Sequence, residues 1–305
     1  DQISQGGFGS IYRALHNLPI SQRVAVIKTI KNDLTEKNDF KELFISETKT
    51  AFPLSHSNIA QIYEYGESNN QLYYILEYIH GINIKELNEK YQIKGEFPIP
   101  FIIYIIMEAC KGLHYAHSFK NKFTGKKIQI IHRDISPKNI MIDFNGNVKL
   151  IDFGIAKCKT NIDHNKSTVL KGRPSYMSPE YVQSENYDHR VDQFSLGVIF
   201  WELLTQKNLF SGDSHLDVIK QVIKCEIPLP RFHNEKVDPE LQEIVLKMLR
   251  KKFRERFTNS EILYNTLNKY LYKTYPDFSP SYFAKQIRNM FIGKIKRDEN
   301  QLKKI

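Results

Sequence analysis

The sequence predicts an α+β, bilobal fold in which a small antiparallel β-sheet lobe with one helix precedes a larger, mainly helical lobe. Residues 1–78 alternate short β patterns with one helical pattern, whereas helical periodicity dominates from about residue 83 onward. The chain of 305 residues, 41% of them hydrophobic, is sufficient for two lobes around a substantial core. Because ligands favour clefts between such units, the segment 79–82 is predicted to be a hinge beside a binding site.

The composition limits the class of protein and its compartment. The net charge is +10, but the lysines are spread along the chain, with local enrichment at 120–127 and 294–304. We interpret this pattern as a solvated basic surface with no nucleic-acid partner, because such partners need basic and aromatic residues clustered on one face. No run of 18 apolar residues is present, which predicts no transmembrane segment in this chain and leaves an anchor outside it open. Three widely spaced cysteines argue against a disulfide framework and favour a cytoplasmic setting: Cys110, Cys158 and Cys225.

The smaller lobe begins with a glycine-rich segment between two β-prone runs. In the stretch Gly6-Gly7-Phe8-Gly9 the glycines let backbone amides approach a phosphate closely, although a plain hairpin tip has the same pattern. The next strand places Val24, Val26 and Lys28 on one face. A lysine that ends an apolar strand face needs an anionic partner.

Glu47 is the predicted partner of Lys28. Residues 40–51 carry apolar side chains at helical spacing, and Glu47 lies on that apolar stripe, where a carboxylate is costly unless it is paired. Glu36 and Glu42 are alternatives that fall off the stripe. An ordinary solvated glutamate is the simpler alternative for Glu47.

The larger lobe is predicted to span 83–275. A buried-strand pattern at 73–78 leads into the hinge, and a basic C-terminal tail is predicted over 276–305. Apolar residues recur at helical spacing over five segments, near 98–118, 191–205, 214–225, 238–250 and 258–270.

The chemistry is concentrated between residues 132 and 154, which read His-Arg-Asp-Ile-Ser-Pro-Lys-Asn, then a hairpin pattern, then Ile-Asp-Phe-Gly. The dipeptide Asn145-Gly146 favours a two-residue turn, and counting outward from it pairs 139 with 152. Asn139 and Asp152 are therefore predicted to lie side by side, as two hard oxygen ligands for Mg²⁺. Asp134, five residues before Asn139, is close enough to orient a hydroxyl nucleophile.

These residues resemble the catalytic and metal-binding loops of the protein kinase family, H-R-D-x-x-x-x-N and D-F-G. Residues 25–28 resemble the V-A-I-K motif, and the glycine-rich segment resembles G-x-G-x-x-G-x-V with Ser4 at the first position and Ile11 at the last. The resemblance extends over about residues 1–270.

Downstream motifs favour a protein substrate over a small molecule. Residues 172–180 resemble the G-T-x-x-Y-M-x-P-E segment that closes the activation loop, and 192–197 resemble the D-x-W-S-x-G start of a central helix. By the same resemblance Arg256 pairs with Glu180, and His132 packs against Phe153. Small-molecule kinases usually lack these segments.

The resemblance implies the bilobal protein kinase fold, ATP as phosphate donor, and Mg²⁺ as cofactor with Mn²⁺ as an alternative. By the same resemblance, Asp134 is expected to orient the substrate hydroxyl, Asn139 and Asp152 to hold the metal, and Leu76 to gate the adenine pocket. The residues implied in nucleotide binding are Ser4, Gly6, Gly7, Phe8, Gly9, Ile11, Val26, Lys28, Leu76, Glu77, Ile79, Met141 and Asp152. Those implied in catalysis are Asp134, Lys28, Glu47, Asn139, Asp152, Arg173 and Lys138.

Two departures affect the substrate side. Ser136 replaces the lysine that Ser/Thr kinases carry two residues after the catalytic aspartate, and Arg173 replaces a threonine. Arg173 or Lys138 is expected to supply the missing positive charge. Lys138 also occupies a position where Tyr kinases often carry arginine.

The loop as a whole resembles a bacterial group of Ser/Thr kinases, so the expected activity is phosphorylation of Ser/Thr hydroxyls in proteins, including the chain itself. Tyr or dual specificity is an alternative. A pseudokinase that binds nucleotide without efficient transfer is another, favoured by the absent glycine and loop lysine. The sequence gives no information about the oligomeric state.

The loop between Asp152 and Glu180 is the expected regulatory segment. Its hydroxyl residues before Gly172 are Thr160, Ser167 and Thr168. Phosphate on Thr168 or Ser167 is expected to pair with Arg133, which adjoins the catalytic aspartate. A surface Ser-Thr pair without a regulatory role is the alternative.

Overall fold

The computed structural model describes residues 1–5, 9–18, 20–31, 38–121, 125–153 and 173–303. Its smaller lobe is a five-stranded antiparallel sheet with the order β1-β2-β3-β5-β4. The strands are β1 Gln2–Gln5, β2 Gly9–Leu18, β3 Ser21–Ile30, β4 Ile62–Ser68 and β5 Gln71–Glu77.

One helix, α1 (Asn38–Ala51), accompanies this sheet. Phe44 of α1 is buried with the sheet residues Ile30, Leu72 and Tyr74 in a small core of its own. Thr48 and Ala51 of the same helix are also buried. Glu47, one turn after Phe44, therefore lies on the buried side of α1.

The larger lobe contains the five helices that the sequence predicts, with bounds that differ by a few residues. They are α3 Ile99–His117, α5 Arg190–Thr205, α6 His215–Lys224, α7 Pro239–Met248 and α8 Ser260–Thr274. Two further helices were not predicted from the sequence, α2 (Ile84–Lys94) and the single-turn helix α4 (Pro179–Val182). The apolar stripe of α2 is weak, because only Ile84, Leu87 and Tyr91 are buried.

Side-chain caps explain where several of these helices begin. Each capping oxygen accepts a hydrogen bond from a backbone amide in the first turn, which would otherwise have no partner. The caps of α2, α6, α7 and α8 are Asn83, Ser214, Asp238 and Asn259.

The core of the larger lobe surrounds α3 and α5. Every residue of α5 after Arg190 is buried, and α3 is buried along most of its length. By length and composition alone, α3 is apolar enough to cross a membrane, but 78% of its most apolar window is buried inside the fold. A core helix meets the same criteria.

A small three-stranded sheet lies below the hinge and carries the catalytic segment. It contains β6 Gly81–Asn83, β7 Ile140–Asp143 and β8 Val148–Leu150 in sequence order. The hairpin register differs by one residue from the predicted one, since Ile140 pairs with Leu150 and the Asn139 carbonyl accepts from the Ile151 amide.

The cause of the shift is a longer turn. Asp143 accepts hydrogen bonds from the amides of Asn145, Gly146 and Asn147, the first and last through its carboxylate. Gly146 has φ +84°, which suits the third residue of a three-residue loop. The predicted pairing of Asn139 with Asp152 was therefore wrong by one position.

The segment predicted as a basic tail forms two further helices, α9 (Pro280–Met290) and α10 (Ile292–Leu302). Phe283, Ile287 and Phe291 are buried in the main core, where Phe283 stacks edge-on against Phe101 of α3. The Arg288 guanidinium donates to the Phe144 carbonyl at 2.9 Å. These contacts make residues 280–291 part of the larger lobe's packing.

Candidate active site

A cleft of about 760 Å³ lies between the lobes and gathers most of the predicted site residues. The strand residues reach it from β1, β2, β3 and β5, and the catalytic segment reaches it from below. The predicted residues that line it are Ser4, Gly9, Ile11, Val26, Lys28, Leu76, Glu77, Ile79, Asp134, Lys138, Asn139, Met141, Asp152 and Arg173. Gly6, Gly7, Phe8 and Gly154 lie outside the described residues.

Gly9 is required by the close approach of β2 and β3. A Cβ atom placed on Gly9 would lie 1.7 Å from the Thr29 carbonyl oxygen. No side chain fits there without moving the neighbouring backbone. This glycine therefore has a packing reason that is independent of any phosphate.

Asp192, in the first turn of α5, fixes the backbone of the catalytic loop. Its carboxylate accepts from the backbone amides of His132 and Arg133, both at 2.9 Å. Arg133 has φ +64°, a conformation that costs a non-glycine residue free energy and must be maintained by its surroundings. The buried carboxylate supplies that support.

The charge of Asp192 is kept by its hydrogen bonds. Complete burial alone would raise the pKa of this carboxyl, but the hydrogen bond and charge of His117, together with His132, outweigh burial and hold the pKa below its ordinary value. The His117 ring nitrogen lies 2.7 Å from the carboxylate. The structure thus gives Asp192 a positioning role that sequence reasoning missed, although the D-x-W-S-x-G likeness pointed to the residue.

His132 packs against Phe153 as predicted. The ring centroids are 4.4 Å apart, and His132 is fully buried. Its Nε2 lies 2.9 Å from the Ile151 carbonyl oxygen. The histidine therefore links the catalytic loop to the segment that carries Asp152.

The ion pairs around Lys28 differ from the predicted Lys28–Glu47 pair. The Lys28 ammonium contacts Asp152, while Glu47 Oε2 lies 3.7 Å from the Arg133 guanidinium. Among the described residues no Lys28–Glu47 ion pair is formed, which corrects the predicted contact. The reason is that two cations and two carboxylates, all largely buried, meet at the lobe interface, where each charge must be paired but more than one pairing is available.

Asn139 and Asp134 form one hydrogen-bonded unit. Asn139 Nδ2 donates to the Asp134 carbonyl oxygen at 2.7 Å and to its carboxylate at 3.0 Å. Both of these bonds use the side-chain amide nitrogen, so the side-chain oxygen Oδ1 of Asn139 can serve as a hard ligand. This oxygen and the Asp152 carboxylate fit the ligands that Mg²⁺ prefers, and substrate phosphates would supply further oxygens. The backbone of Asp152 has φ +67°.

At the hinge, Leu76 is buried at the back of the cleft, and Glu77 is the last residue of β5. The Glu77 amide donates to the Gln61 carbonyl at 2.9 Å, and its carboxylate pairs with Lys149 at 3.0 Å. Of the Glu77 backbone groups, the carbonyl is thus the one suited to a ligand. If Glu77 contacts adenine as predicted, its backbone carbonyl is the group that would accept the hydrogen bond.

Arg173 contacts Ser136, the residue that stands where Ser/Thr kinases carry the loop lysine. Its guanidinium donates a hydrogen bond to the Ser136 hydroxyl, and both Arg173 and Lys138 line the cleft. Ser136 is 1% exposed, so the hydroxyl is held inside the loop. Thr160, Ser167, Thr168 and Gly172, like Glu36 and Cys158, lie outside the described residues.

A second cavity of about 370 Å³ adjoins the cleft and shares Lys138 and Arg173 with it. Glu202 of α5 lies in its wall and accepts from the Tyr176 hydroxyl at 2.8 Å. Burial raises the pKa of Glu202 to about 7. Glu202 was not predicted from the sequence, where its only signal was a carboxylate within the otherwise apolar run 196–204.

The predicted Glu180–Arg256 pair is present and buried. The two guanidinium nitrogens Nη1 and Nη2 donate to the two carboxylate oxygens at 2.6 and 2.8 Å. Arg256 also donates to the carbonyls of Arg250, Lys251 and Arg190. The pair anchors the segment after the activation loop to the helical lobe, at a distance from the cleft.

The comparison with family models identifies the protein kinase domain over residues 1–267. Two curated relatives are each 33% identical to the chain. Tyrosine-protein kinase MasK of Myxococcus xanthus aligns with 88% of the chain and 42% of its own length. Serine/threonine-protein kinase PrkC of Bacillus subtilis aligns with 85% of the chain and 38% of its own length. The chain therefore spans about two fifths of the length of these relatives.

Among solved structures, the kinase domain of PknI from Mycobacterium tuberculosis is similar, with a TM-score of 0.66 and 20% identity. The alignment covers 88% of the chain and 93% of that domain. At this identity the likeness concerns the fold alone. It agrees with the antiparallel sheet lobe and the helical lobe described above.

Proposed function

Because the chain belongs to the protein kinase family, we propose that it transfers the γ-phosphoryl group of ATP to Ser or Thr hydroxyls of proteins. The observation that carries the proposal is that Lys28, Asp134, Asn139 and Asp152 line one cleft between the lobes. A pseudokinase would be expected to lack at least one of these four groups. Their presence favours an enzyme over a nucleotide-binding scaffold.

Each group has a role that follows from its chemistry. Asp134 is held by Asn139 in reach of the cleft, where its carboxylate can orient a hydroxyl and accept its proton. Asn139 and Asp152 would hold Mg²⁺, which when bound neutralises phosphate charge. Lys28, which forms an ion pair with Asp152, would bind the nucleotide phosphates through its positive charge. The rate of phosphoryl transfer would then depend on how these groups position the two substrates and neutralise the phosphate charge.

The choice between Ser/Thr and Tyr rests on the loop and the relatives. Ser/Thr transfer is supported by the loop pattern and by relatives such as PrkC. Tyr transfer is the second candidate, because MasK is named a tyrosine kinase and Lys138 stands where Tyr kinases often carry arginine. Protein substrates other than the chain itself, and autophosphorylation, belong to the same proposal.

The test is incubation of the purified chain with radiolabelled ATP, Mg²⁺ and a generic protein substrate, followed by acid hydrolysis and separation of phosphoamino acids. We expect phosphoserine and phosphothreonine on both the substrate and the chain. Phosphotyrosine alone would replace the Ser/Thr assignment. ATP binding without any transfer would establish the scaffold alternative. Replacement of Mg²⁺ by Mn²⁺ in a parallel reaction addresses the metal.

We predict that Arg173→Ala lowers kcat by about 10- to 100-fold, whereas Lys138→Ala has an effect of only a few-fold. The reason is that Arg173 is bonded to Ser136 in the catalytic loop and lies at the cleft, so it can place a positive charge on the transferring phosphate. Steady-state kinetics at saturating ATP measures both variants. The reverse ranking would assign the role to Lys138, and two small effects would show that no residue compensates.

We also predict that phosphate on Thr168 or Ser167 activates the enzyme. Arg133 lies 3.7 Å from Glu47, and a phosphate group would be a stronger partner for this guanidinium than a single carboxylate. Mass spectrometry of active enzyme should find the modification, and the Ser167→Ala/Thr168→Ala variant should lose most activity. Thr160→Ala is the matched control. Full activity of an unmodified loop would contradict this mechanism.

A further inference from the structure

Helix α10 (Ile292–Leu302) borders the hinge side of the nucleotide cleft. Its side chains Lys294, Asp298 and Gln301 line the same volume as Tyr78 and Ile79 of the hinge. The match to the protein kinase domain covers residues 1–267, so this helix lies outside the matched region.

The helix is held in place by what precedes it. Helix α9 buries Phe283 and Ile287, and Phe291 at the junction between α9 and α10 is only 6% exposed. Because this junction is fixed in the core, α10 starts from a defined point on the larger lobe. The helix itself contains no fully buried residue, although Ile295 packs half-buried against the main core. Polar contacts supply the rest of its attachment.

These polar contacts reach both lobes and the hinge. Arg13 of β2, a cation that is only 4% exposed, donates to Gln301 Oε1 at 2.9 Å. Asp298 Oδ2 lies 3.8 Å from His80 Nε2 in the hinge region. Lys294 Nζ lies 3.3 Å from the Glu86 carboxylate of α2 in the larger lobe. The helix therefore bridges the two lobes along the edge of the cleft.

The Lys294–Glu86 contact bears directly on an anionic ligand. Glu86 lines the cleft and is fixed by Asn83, whose Nδ2 donates to its carboxylate at 2.7 Å while Asn83 Oδ1 caps the Glu86 amide. A fixed, uncompensated carboxylate would repel a nucleotide triphosphate. Lys294 neutralises this carboxylate, and its ammonium adds donors at the wall of the cleft.

We propose that α10 is a third wall of the nucleotide site and that Lys294 strengthens nucleotide binding by neutralising Glu86 at the hinge end of the cleft. The inference rests on the proposed function, since it presupposes that ATP occupies this cleft. It assigns a ligand-binding role to a segment outside the matched kinase domain.

The test compares the dissociation constant of ATP, measured by isothermal titration calorimetry, for the wild-type chain, Lys294→Ala and a chain that ends at Phe291. We expect both variants to bind ATP about 5- to 10-fold more weakly. Lys296→Ala is the matched control, because Lys296 is an exposed lysine of the same helix that does not line the cleft. It should stay within about two-fold of wild type.

A second variant distinguishes the effect of the Glu86 charge from the loss of the Lys294 side chain itself. In the Lys294→Ala/Glu86→Gln chain the uncompensated carboxylate is removed, and we expect part of the lost affinity to return. Unchanged affinity in Lys294→Ala would overturn the inference, and so would tighter binding by the shortened chain, which would make α10 an obstacle to the nucleotide. If the wild-type chain itself does not bind ATP, the proposed function fails, and that result is visible before any variant is compared.

Discussion

Asp152→Asn is expected to abolish phosphoryl transfer while leaving the chain folded. The substitution keeps the size of the side chain but removes the charge that would hold Mg²⁺ and that now pairs with Lys28. A loss in kcat of about 10³-fold or more is expected, because charge neutralisation at the transferring phosphate is the main contribution to catalysis. Steady-state kinetics at saturating ATP and Mg²⁺ measures the loss, with circular dichroism to verify the fold.

Asp134→Asn is the companion variant and separates two roles. It should lower kcat by a similar order while the dissociation constant of ATP stays near wild type, because Asp134 acts on the hydroxyl and not on the nucleotide. Asp143→Asn is the control, since Asp143 belongs to the turn of the same hairpin but does not line the cleft. Activity near wild type for Asp152→Asn in Mg²⁺ would contradict the assignment of the metal ligand.

The identity of these side chains could be predicted from sequence, but their contacts could only partly be predicted. Asn139 and Asp152 were expected opposite each other on the evidence of Asn145-Gly146, and the register is off by one. The shift arises because Asp143 accepts three amides and widens the turn. Two-residue and three-residue loops share the same Asn-Gly signal, so sequence alone does not distinguish them.

The Lys28 pairing illustrates a different limit. Sequence patterning shows that Lys28 and Glu47 both need partners, but it does not rank the pairings available within a cluster of charges. The structure pairs Lys28 with Asp152 and Glu47 with Arg133. Such pairings differ by small free energies that depend on the positions of whole elements, here α1 and the catalytic loop.

The C-terminal helices were missed for a reason that can be identified. The basic composition of 276–305 suggested a solvated tail. Yet Phe283 and Ile287 of α9 and Phe291 directly after it recur every four residues, and all three are buried. That spacing was the available signal. The contact of Gln301 with Arg13, 288 positions apart, had no local signal at all. Long-range polar contacts of this kind follow from tertiary structure only.

Arg256→Ala is expected to have the largest effect on stability. The substitution leaves Glu180, whose side chain is 4% exposed, as a buried charge without its bidentate partner. Removing one member of a buried pair typically lowers the free energy of unfolding by about 3–5 kcal/mol. Three backbone carbonyls that Arg256 bridges, those of Arg250, Lys251 and Arg190, lose a donor as well. Urea denaturation followed by circular dichroism measures the change.

Arg254→Ala is the matched control for this prediction. Arg254 lies two positions earlier, in the short 3₁₀ helix Phe253–Glu255 that directly precedes Arg256. Its side chain is exposed, and its guanidinium carbon lies 5.8 Å from the centre of the Phe253 ring. Its replacement should change the free energy of unfolding by no more than about 0.5 kcal/mol. The Glu180→Gln/Arg256→Met variant removes both charges and should recover part of the stability, because no buried charge is then left unpaired. Equal losses for Arg254→Ala and Arg256→Ala would show that the Glu180–Arg256 pair does not stabilise the segment after the activation loop.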